Sequence, residues 1–262
     1  MKAFVKGLFD PFTLTDLNVL KEYLYQGYES IGVVLLEGER YQEREEIARL
    51  IIDTPQIVLQ KNGQGEEICN ERLSCGITRK DFLQLNPAAV SYCLKHMLYV
   101  EELAKRTLSD YRFYHVKCVA ELASDLAEHY GLPRYMGYAA GYLHDITKEW
   151  EKEYHREYIR RYAFSHLQEN PKKYHQYSAA VFLRDALHVS EEDIIDAVGN
   201  HVNGTSDRLL ARIIFCSDKI DDSRGFDNTS IKALCFENLD QAYEQIHQRQ
   251  LEHLHKKGIW NE

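Results

Sequence analysis

An adjacent pair, His144-Asp145, follows Ala139, Ala140 and Leu143, so two ionisable side chains close a segment that is otherwise small or apolar. Once buried, such groups need partners. The candidates are His115 in Arg-Phe-Tyr-His-Val, His175 in Tyr-His-Gln-Tyr-Ser, His201 in Gly-Asn-His-Val-Asn-Gly and Asp218 in Ile-Ile-Phe-Cys-Ser-Asp. Asp218 follows Leu209, Leu210, Ile213, Ile214 and Phe215, a run that reads as core, where an unpaired carboxylate is costly to ionise. A metal ion removes that cost; a core pairing with an arginine is the plain alternative for Asp218 taken alone. Four imidazoles and two carboxylates are ligand types that suit iron, manganese or zinc, without the thiolates of a structural zinc site. The Asp145 carboxylate could bridge two ions. Two such ions clamp phosphate oxygens and activate a water, which is chemistry for hydrolysing phosphate esters and anhydrides.

The rest of the composition bounds that reading. Of the 12 histidines only His96 lies within the first 105 residues, which implies two halves with different chemistry. His129, His155, His166 and His188 read as surface or capping residues, and His253 and His255 as solvated. Lys+Arg 32 against Asp+Glu 41 leaves a formal charge of -9, which disfavours a generic basic surface for nucleic acid or anionic lipid. Bound cations would supply the local positive charge that the acidic chain lacks. Six cysteines form no CxxC pair, so a reducing compartment is the simpler reading. The opening MKAFVKGLFDPF offers no signal-peptide apolar region and no membrane span, and the expectation is a cytoplasmic protein without membrane or nucleic-acid partners. Oligomeric state is not fixed by the sequence, which leaves a homodimer open.

These side chains must be positioned by two kinds of structure. In the first half, Ala3-Phe4-Val5, Ile31 to Leu36 and Gln56 to Leu59 read as strands alternating with helices at Thr15 to Gly27 and Tyr41 to Ile52, which implies a parallel α/β sheet. From Val90 onward the pattern is helical. Val116, Val119, Leu122, Ala123 and Leu126 share one helix face that stops at Gly131 before Pro133. Further helices are expected at Tyr135 to Glu149, Glu151 to Tyr162, His175 to Ala186, Glu191 to Gly199, Asp207 to Asp221 and Leu239 to His255. The expected architecture is a small α/β domain, residues 1–105, and an all-α domain, residues 106–262.

The pattern H…HD…H…H…D from Arg112 to Phe226 resembles the HD-domain phosphohydrolases, and within them the symmetrical diadenosine tetraphosphate hydrolases of the YqeK type. Leu143-His144-Asp145-Ile146-Thr147-Lys148 is like that family's LHDxxK, and His201-Val202-Asn203-Gly204 is like its HTTG. Ser217-Asp218-Lys219-Ile220-Asp221 runs on to Arg224-Gly225-Phe226 in the same way. The resemblance implies two divalent ions, iron first, with manganese or zinc as alternatives. His115, His144, Asp145 and Asp218 would hold one and Asp145, His175 and His201 the other. It further implies Asp145 and Lys148 as catalytic residues, with Lys148, Gly204 and Arg224 contacting substrate. The implied reaction is attack of water on the central anhydride of diadenosine tetraphosphate, releasing two molecules of ADP. The alternatives are an HD phosphohydrolase for nucleoside monophosphates or cyclic dinucleotides, or a nucleotide-sensing protein with a structural metal site.

In the first half, Gly7-Leu8-Phe9-Asp10-Pro11-Phe12-Thr13-Leu14-Thr15-Asp16-Leu17 resembles the GxFDPxHxGHL motif of the nicotinate-nucleotide and pantetheine-phosphate adenylyltransferases. Thr13 and Asp16 stand where that family has histidines, and Asp16 would repel a triphosphate. Leu73-Ser74-Cys75-Gly76-Ile77-Thr78-Arg79 resembles the family's ISSTxIR. The stretch between the motifs is shorter than a full adenylyltransferase needs. The expectation is therefore a reduced, inactive nucleotidyltransferase-like domain, kept either for packing or oligomerisation or for residual nucleotide binding.

Overall fold

A computed structural model of the chain describes residues 1–73, 84–162 and 164–256. Two compact units divide between Cys93 and Leu94. In the first, β1 (Lys2–Gly7), α1 (Leu14–Tyr25), β2 (Ser30–Leu35), α2 (Tyr41–Ile51), β3 (Ile57–Leu59) and β4 (Glu66–Glu67) build a parallel sheet ordered β3-β2-β1-β4. Register pairs Ala3 with Ile31 and Val5 with Val33, so the apolar residues of neighbouring strands lie side by side, all buried. The parallel sheet is the one the sequence implies; β4 is an addition, too short and too acidic to show as a strand.

The loop after β1 is locked by its own side chains. Thr13 donates from its amide and hydroxyl to Asp16 Oδ2 at 2.9 and 2.7 Å, while the Asp16 amide donates to Thr13 Oγ1 at 3.2 Å. This capping box satisfies the first turn of α1 from within the chain. The fully buried Arg44 of α2 donates to the carbonyls of Leu36, at 2.9 Å, Glu39, at 3.0 Å, and Leu8. From Ser74 to Arg79 the second adenylyltransferase-like motif lies outside the described residues.

The second unit takes the end of α3 (Pro87–Lys95), then α4 (Val100–Thr107), α5 (Asp110–His129), α6 (Arg134–Leu143), α7 (Lys152–Tyr162), α8 (Tyr174–Asp185), α9 (Glu192–Asn200), α10 (Leu209–Ile220), α11 (Thr229–Glu237) and α12 (Leu239–Lys256). Its described residues hold no strand, and none of its helices is long and apolar enough to cross a membrane. The division lies inside α3 rather than at 105/106. Val100, Leu103 and Ala104 bury one face of α4, which packs on α5 and α6.

Two further departures from the expected elements matter for the site. The helix expected to run from Tyr135 to Glu149 ends at Leu143, and His144 to Glu149 form tight turns. There Lys148 donates to the Asp145 carbonyl at 2.8 Å and Trp150 to that of Thr147 at 3.0 Å, an i→i−3 pattern that winds the chain more tightly than an α-helix. Thr147 holds this turn by donating 3.0 Å to the His175 carbonyl. Secondly, α5 and α6 approach closely because Gly137 and Gly141 carry no side chain. A Cβ on them would sit 2.2 Å from the Ala123 carbonyl oxygen and 2.4 Å from the Ala120 Cα.

Candidate metal centre

The close crossing of α5 and α6 sets His115 beside His144, with ring centroids 5.3 Å apart. At the start of α5, the Ser109 amide and hydroxyl donate to the Glu149 carboxylate at 2.8 and 2.6 Å, tying the turn after His144-Asp145 to the helix that carries His115. His175 enters from the first turn of α8, His201 from the C-terminal end of α9 and Asp218 from the last turn of α10. All six side chains expected to act as ligands are buried and meet in one cluster.

Within it, His115 Nε2 lies 3.2 Å from Asp218 Oδ1 and 3.9 Å from Asp145 Oδ2. His144 Nε2 is 3.8 Å from each of the same two oxygens. On the other side of Asp145, Oδ1 is 3.3 Å from His175 Nε2 and 3.4 Å from His201 Nε2, and those two nitrogens are 3.1 Å apart. Ligand atoms of His115, His144 and Asp145 lie within 4.8 Å of one another, as do those of Asp145, His175 and His201. The two Asp145 oxygens thus face two overlapping sets. His144, His201 and Asp218 form a third such group between them.

Second contacts fix which ring atom faces inward. His144 Nδ1 lies 2.7 Å from the Gly141 carbonyl and His201 Nδ1 2.7 Å from that of Val198, so each donates there and leaves Nε2 as a bare lone pair. His115 Nδ1 is held by Asp221 Oδ2 at 3.3 Å and Ser223 Oγ at 3.1 Å. His144 Nε2 and Asp145 Oδ1 are buried without a hydrogen-bond partner, while His115 Nε2 faces the Asp218 carboxylate. Buried polar atoms in native proteins are nearly always paired, and unpaired atoms on both sides of Asp145 are what divalent cations satisfy. The donor set of imidazole nitrogens and carboxylates fits that cation class.

Four cations surround the carboxylates. Arg112 donates to Asp145 Oδ2 at 2.8 Å, and Lys148 Nζ lies 3.8 Å from Asp145 Oδ1 and 2.8 Å from His175 Nε2. Lys219 meets Asp218 Oδ2 at 2.6 Å, and Arg224 meets Asp218 Oδ1 at 2.8 Å and Asp221 Oδ2 at 3.1 Å. Asp218 therefore has the arginine partner that its core setting demands. Arg224, expected on a phosphate chain, is here occupied by two carboxylates. Gly204, also expected to touch substrate, is explained by packing. Its φ is +63°, a Cβ would meet the Phe215 ring at 2.7 Å, and its carbonyl accepts from the Tyr243 hydroxyl.

Burial and these neighbours move the protonation equilibria apart. Burial lowers His144 to about 3 and holds His175 well below its usual value, so both rings stay neutral. Burial also opposes a charged His115, but its hydrogen bonds to Asp218 and Asp221 outweigh that and raise it to about 9. Asp145 and Asp218 are held well below the carboxylate range despite burial, by His144, His201 and Lys148 for the first and Lys219, His115 and Arg224 for the second. Burial lowers Lys148.

An HD-domain family model matches residues 112–222, a span containing all six of these side chains. Over 161 residues the chain is 30% identical to the Bacillus subtilis protein named symmetrical bis(5'-nucleosyl)-tetraphosphatase, covering 59% of this chain and 85% of that one. The chain belongs to this family of HD-domain hydrolases. A Mycoplasma genitalium protein named probable nicotinate-nucleotide adenylyltransferase/Ap4A hydrolase is 28% identical over 177 residues, 63% of this chain and 49% of that one. A Clostridium acetobutylicum structure, titled a predicted HD superfamily hydrolase involved in NAD metabolism, shares the fold at TM-score 0.58 and 21% identity. It covers 62% of this chain and 89% of its own.

In this HD-domain hydrolase, sequence reasoning passed over Arg112, Lys219 and Asp221. Arg112 stands three residues before His115, on the same helix face, and Lys219 adjoins Asp218; spacing from the ligands was the available signal. His155, read as a surface or capping residue, is buried. Its Nδ1 lies 2.7 Å from Ser178 Oγ, which is 2.9 Å from Thr147 Oγ1, a chain that supports the turn after Asp145.

Proposed function

We propose that the chain hydrolyses diadenosine tetraphosphate symmetrically, consuming one water and releasing two molecules of ADP. The observation that supports this most is the meeting of four buried histidines with Asp145 and Asp218 in overlapping ligand groups, inside a ring of four cations, in a chain related to hydrolases named for that reaction. His115, His144, Asp145 and Asp218 would hold one divalent ion and Asp145, His175 and His201 the second. When bound, such ions supply positive charge for phosphate oxygens and lower the pKa of a water.

The chain's own residues do the rest. Gly141 and Val198 carbonyls keep the His144 and His201 lone pairs pointed inward, and Asp221 does the same for His115. With the carboxylates engaged by cations at the centre, Arg112, Lys148, Lys219 and Arg224 need no longer neutralise them and can meet a polyphosphate instead. Lys148, lowered by burial, is suited to donate a proton or hydrogen bond to the oxygen of the departing ADP. Product analysis tests the proposal. ADP alone from diadenosine tetraphosphate supports it, and AMP plus ATP contradicts symmetric cleavage. No turnover, with turnover of a nucleoside monophosphate or cyclic dinucleotide, would assign the site to another HD phosphohydrolase reaction.

We further propose that the first unit, Met1–Cys93, is a reduced nucleotidyltransferase-like domain without transferase activity. This rests on the parallel sheet, the motif after β1, and the carboxylate of Asp16 that occupies the amide and hydroxyl of Thr13.

A further inference from the structure

His201 stands at the weakest place a helix offers, the C-terminal end of α9, where the carbonyls run out of intrahelical donors and the backbone tends to fray. It is nonetheless buried, and the turn that follows it is tied down from three other helices. From α8, Gln176 Oε1 accepts from the Val202 and Asn203 amides at 3.1 and 3.3 Å. Asn203 Nδ2 donates to the Tyr177 hydroxyl at 2.8 Å, and that hydroxyl donates in turn to Glu169. From α10, Lys219 donates to the His201 carbonyl at 3.2 Å. From α12, Gln250 Nε2 donates to the Val202 carbonyl at 3.0 Å, and the Tyr243 hydroxyl donates to that of Gly204. Gln176 and Tyr177 adjoin His175, as Val202 and Asn203 adjoin His201. The bonds from α8 therefore join the two chain segments directly behind the histidines whose Nε2 atoms meet at 3.1 Å.

The contribution of α12 comes from outside the family's span, since the HD-domain match ends at residue 222 and α12 begins at Leu239. Leu239, Ala242 and Ile246 recur at helical spacing and bury one face of α12, which packs on α10 and α11; Gln250 is the next turn of that face. Its Oε1 is buried without a hydrogen-bond partner among the described residues, a penalty that an apolar side chain of the same length would avoid. What the amide adds there is the donor to Val202.

We propose that Gln250 and Gln176 are positioning residues for His201, and that α12 thereby sets the affinity of the ion held by Asp145, His175 and His201. The inference rests on the reading of the centre as a two-ion site and adds what holds one half of it. The other half is held separately, His144 by the Gly141 carbonyl and His115 by Asp221 and Ser223, contacts that involve neither glutamine. Loosening the turn after His201 therefore separates the affinities of the two ions, which a general loss of fold would not do.

The test is calorimetric titration of the chelator-stripped full chain with Mn²⁺. Four proteins are compared: wild type, Gln250→Met, which keeps the length and removes the donor, Gln250→Lys, which restores a donor, and Gln176→Met. Wild type is expected to take up two ions. In Gln250→Met and Gln176→Met the second ion is expected to bind about ten-fold more weakly, the usual effect of losing a contact behind a ligand, and the first to stay within about two-fold. Turnover of diadenosine tetraphosphate at limiting Mn²⁺ should fall in parallel and recover at excess Mn²⁺, with KM unchanged. Gln250→Lys should recover most of the second-ion affinity. Two ions bound at wild-type affinity in both methionine variants would overturn the positioning role and leave the two-ion reading intact. Equal weakening of both ions together with a lower melting temperature would also overturn it, since the turn would then serve the fold alone. A wild-type chain that takes up fewer than two ions removes the two-ion reading itself, and this inference with it.

Discussion

His175 Nε2 lies 3.3 Å from Asp145 Oδ1, an oxygen that is buried and has no hydrogen-bond donor, although His201 Nε2 is also within 3.4 Å. Ring nitrogens of two histidines and a carboxylate oxygen gathered this closely, with the Lys148 ammonium 2.8 Å from His175 Nε2, form a donor set that suits a divalent cation. Asp145→Asn keeps the size of the side chain and removes the charge that both sets share. Elemental analysis of purified Asp145→Asn is expected to show clearly less bound metal than wild type. Turnover should fall by about a hundred-fold or more. Retained metal and retained activity would sink the assignment of the centre.

Lys148 is a different case, because it touches His175 and Asp145 without being a candidate ligand. Lys148→Met is expected to retain metal while kcat falls about a hundred-fold, the usual cost of losing a general acid. The pH profile carries the diagnostic sign. The ammonium is the active form and burial lowers its pKa from 10.5, so the wild-type rate should decline as pH rises through that lowered value. In Lys148→Met this alkaline limb should be absent.

What could be read from the sequence were the groups out of place among their neighbours. Asp218 behind Ile213, Ile214 and Phe215, and His144-Asp145 behind Ala139 and Ala140, were conspicuous because charge in an apolar helix is costly. The parallel sheet followed from strands alternating with helices. Arg112, Lys219 and Asp221 stayed hidden because a charged residue beside a ligand looks like any solvated residue until the helices cross. The end of α6 at Leu143 was equally hidden. Ile146 continues the helical spacing, and what tightens the chain there is Thr147 bonding to the His175 carbonyl 28 residues away. Gly204 shows the converse, a motif residue whose constraint is the Phe215 ring against it.

His115 makes the metal-free protein pH-sensitive in a defined direction. Its pKa is raised from 6.5 to about 9 by Asp218 and Asp221, so the charged ring stabilises the fold fully below pH 6.5. That contribution disappears as pH rises through about 9. At about 1.4 kcal/mol per unit, the loss approaches about 3 kcal/mol. Urea denaturation of chelator-treated protein at pH 6 and pH 9.5 should show the decrease, and His115→Gln should flatten it. Added metal displaces the same proton, so metal affinity should climb over this window. An unfolding free energy for the chelated wild type that does not fall between these pH values would contradict the assignment.

Gly204→Ala tests the packing account of that residue. A side chain there must adopt a φ of +63° and press its Cβ to 2.7 Å from the Phe215 ring. Left-handed backbone and overpacking each cost of order 1–3 kcal/mol, and together about 2–6 kcal/mol of stability is expected to be lost. Thermal denaturation measures it. If Gly204 instead served mainly to contact substrate, the melting temperature would hold while KM rose.

Asp16 bears on the proposal that the first unit is a reduced nucleotidyltransferase-like domain without transferase activity. Its carboxylate takes up the Thr13 amide and hydroxyl, the capping donors at the start of α1, and an incoming phosphate would compete with that internal anion. Supplied with ATP and nicotinate mononucleotide, the full chain is expected to release no pyrophosphate above the uncatalysed background. Asp16→Ala is expected to lose about 1–2 kcal/mol of stability, the cost of a helix cap, and to gain no transferase activity, because removing the repulsion does not restore the two missing histidines. Calorimetry with ATP and NAD-related nucleotides gives the complementary readout in the hydrolase-dead Asp145→Asn protein, where the centre cannot consume the ligand. Pyrophosphate release by the wild-type chain would show that Thr13 and Asp16 suffice for the chemistry and would overturn the reading of this unit as inactive.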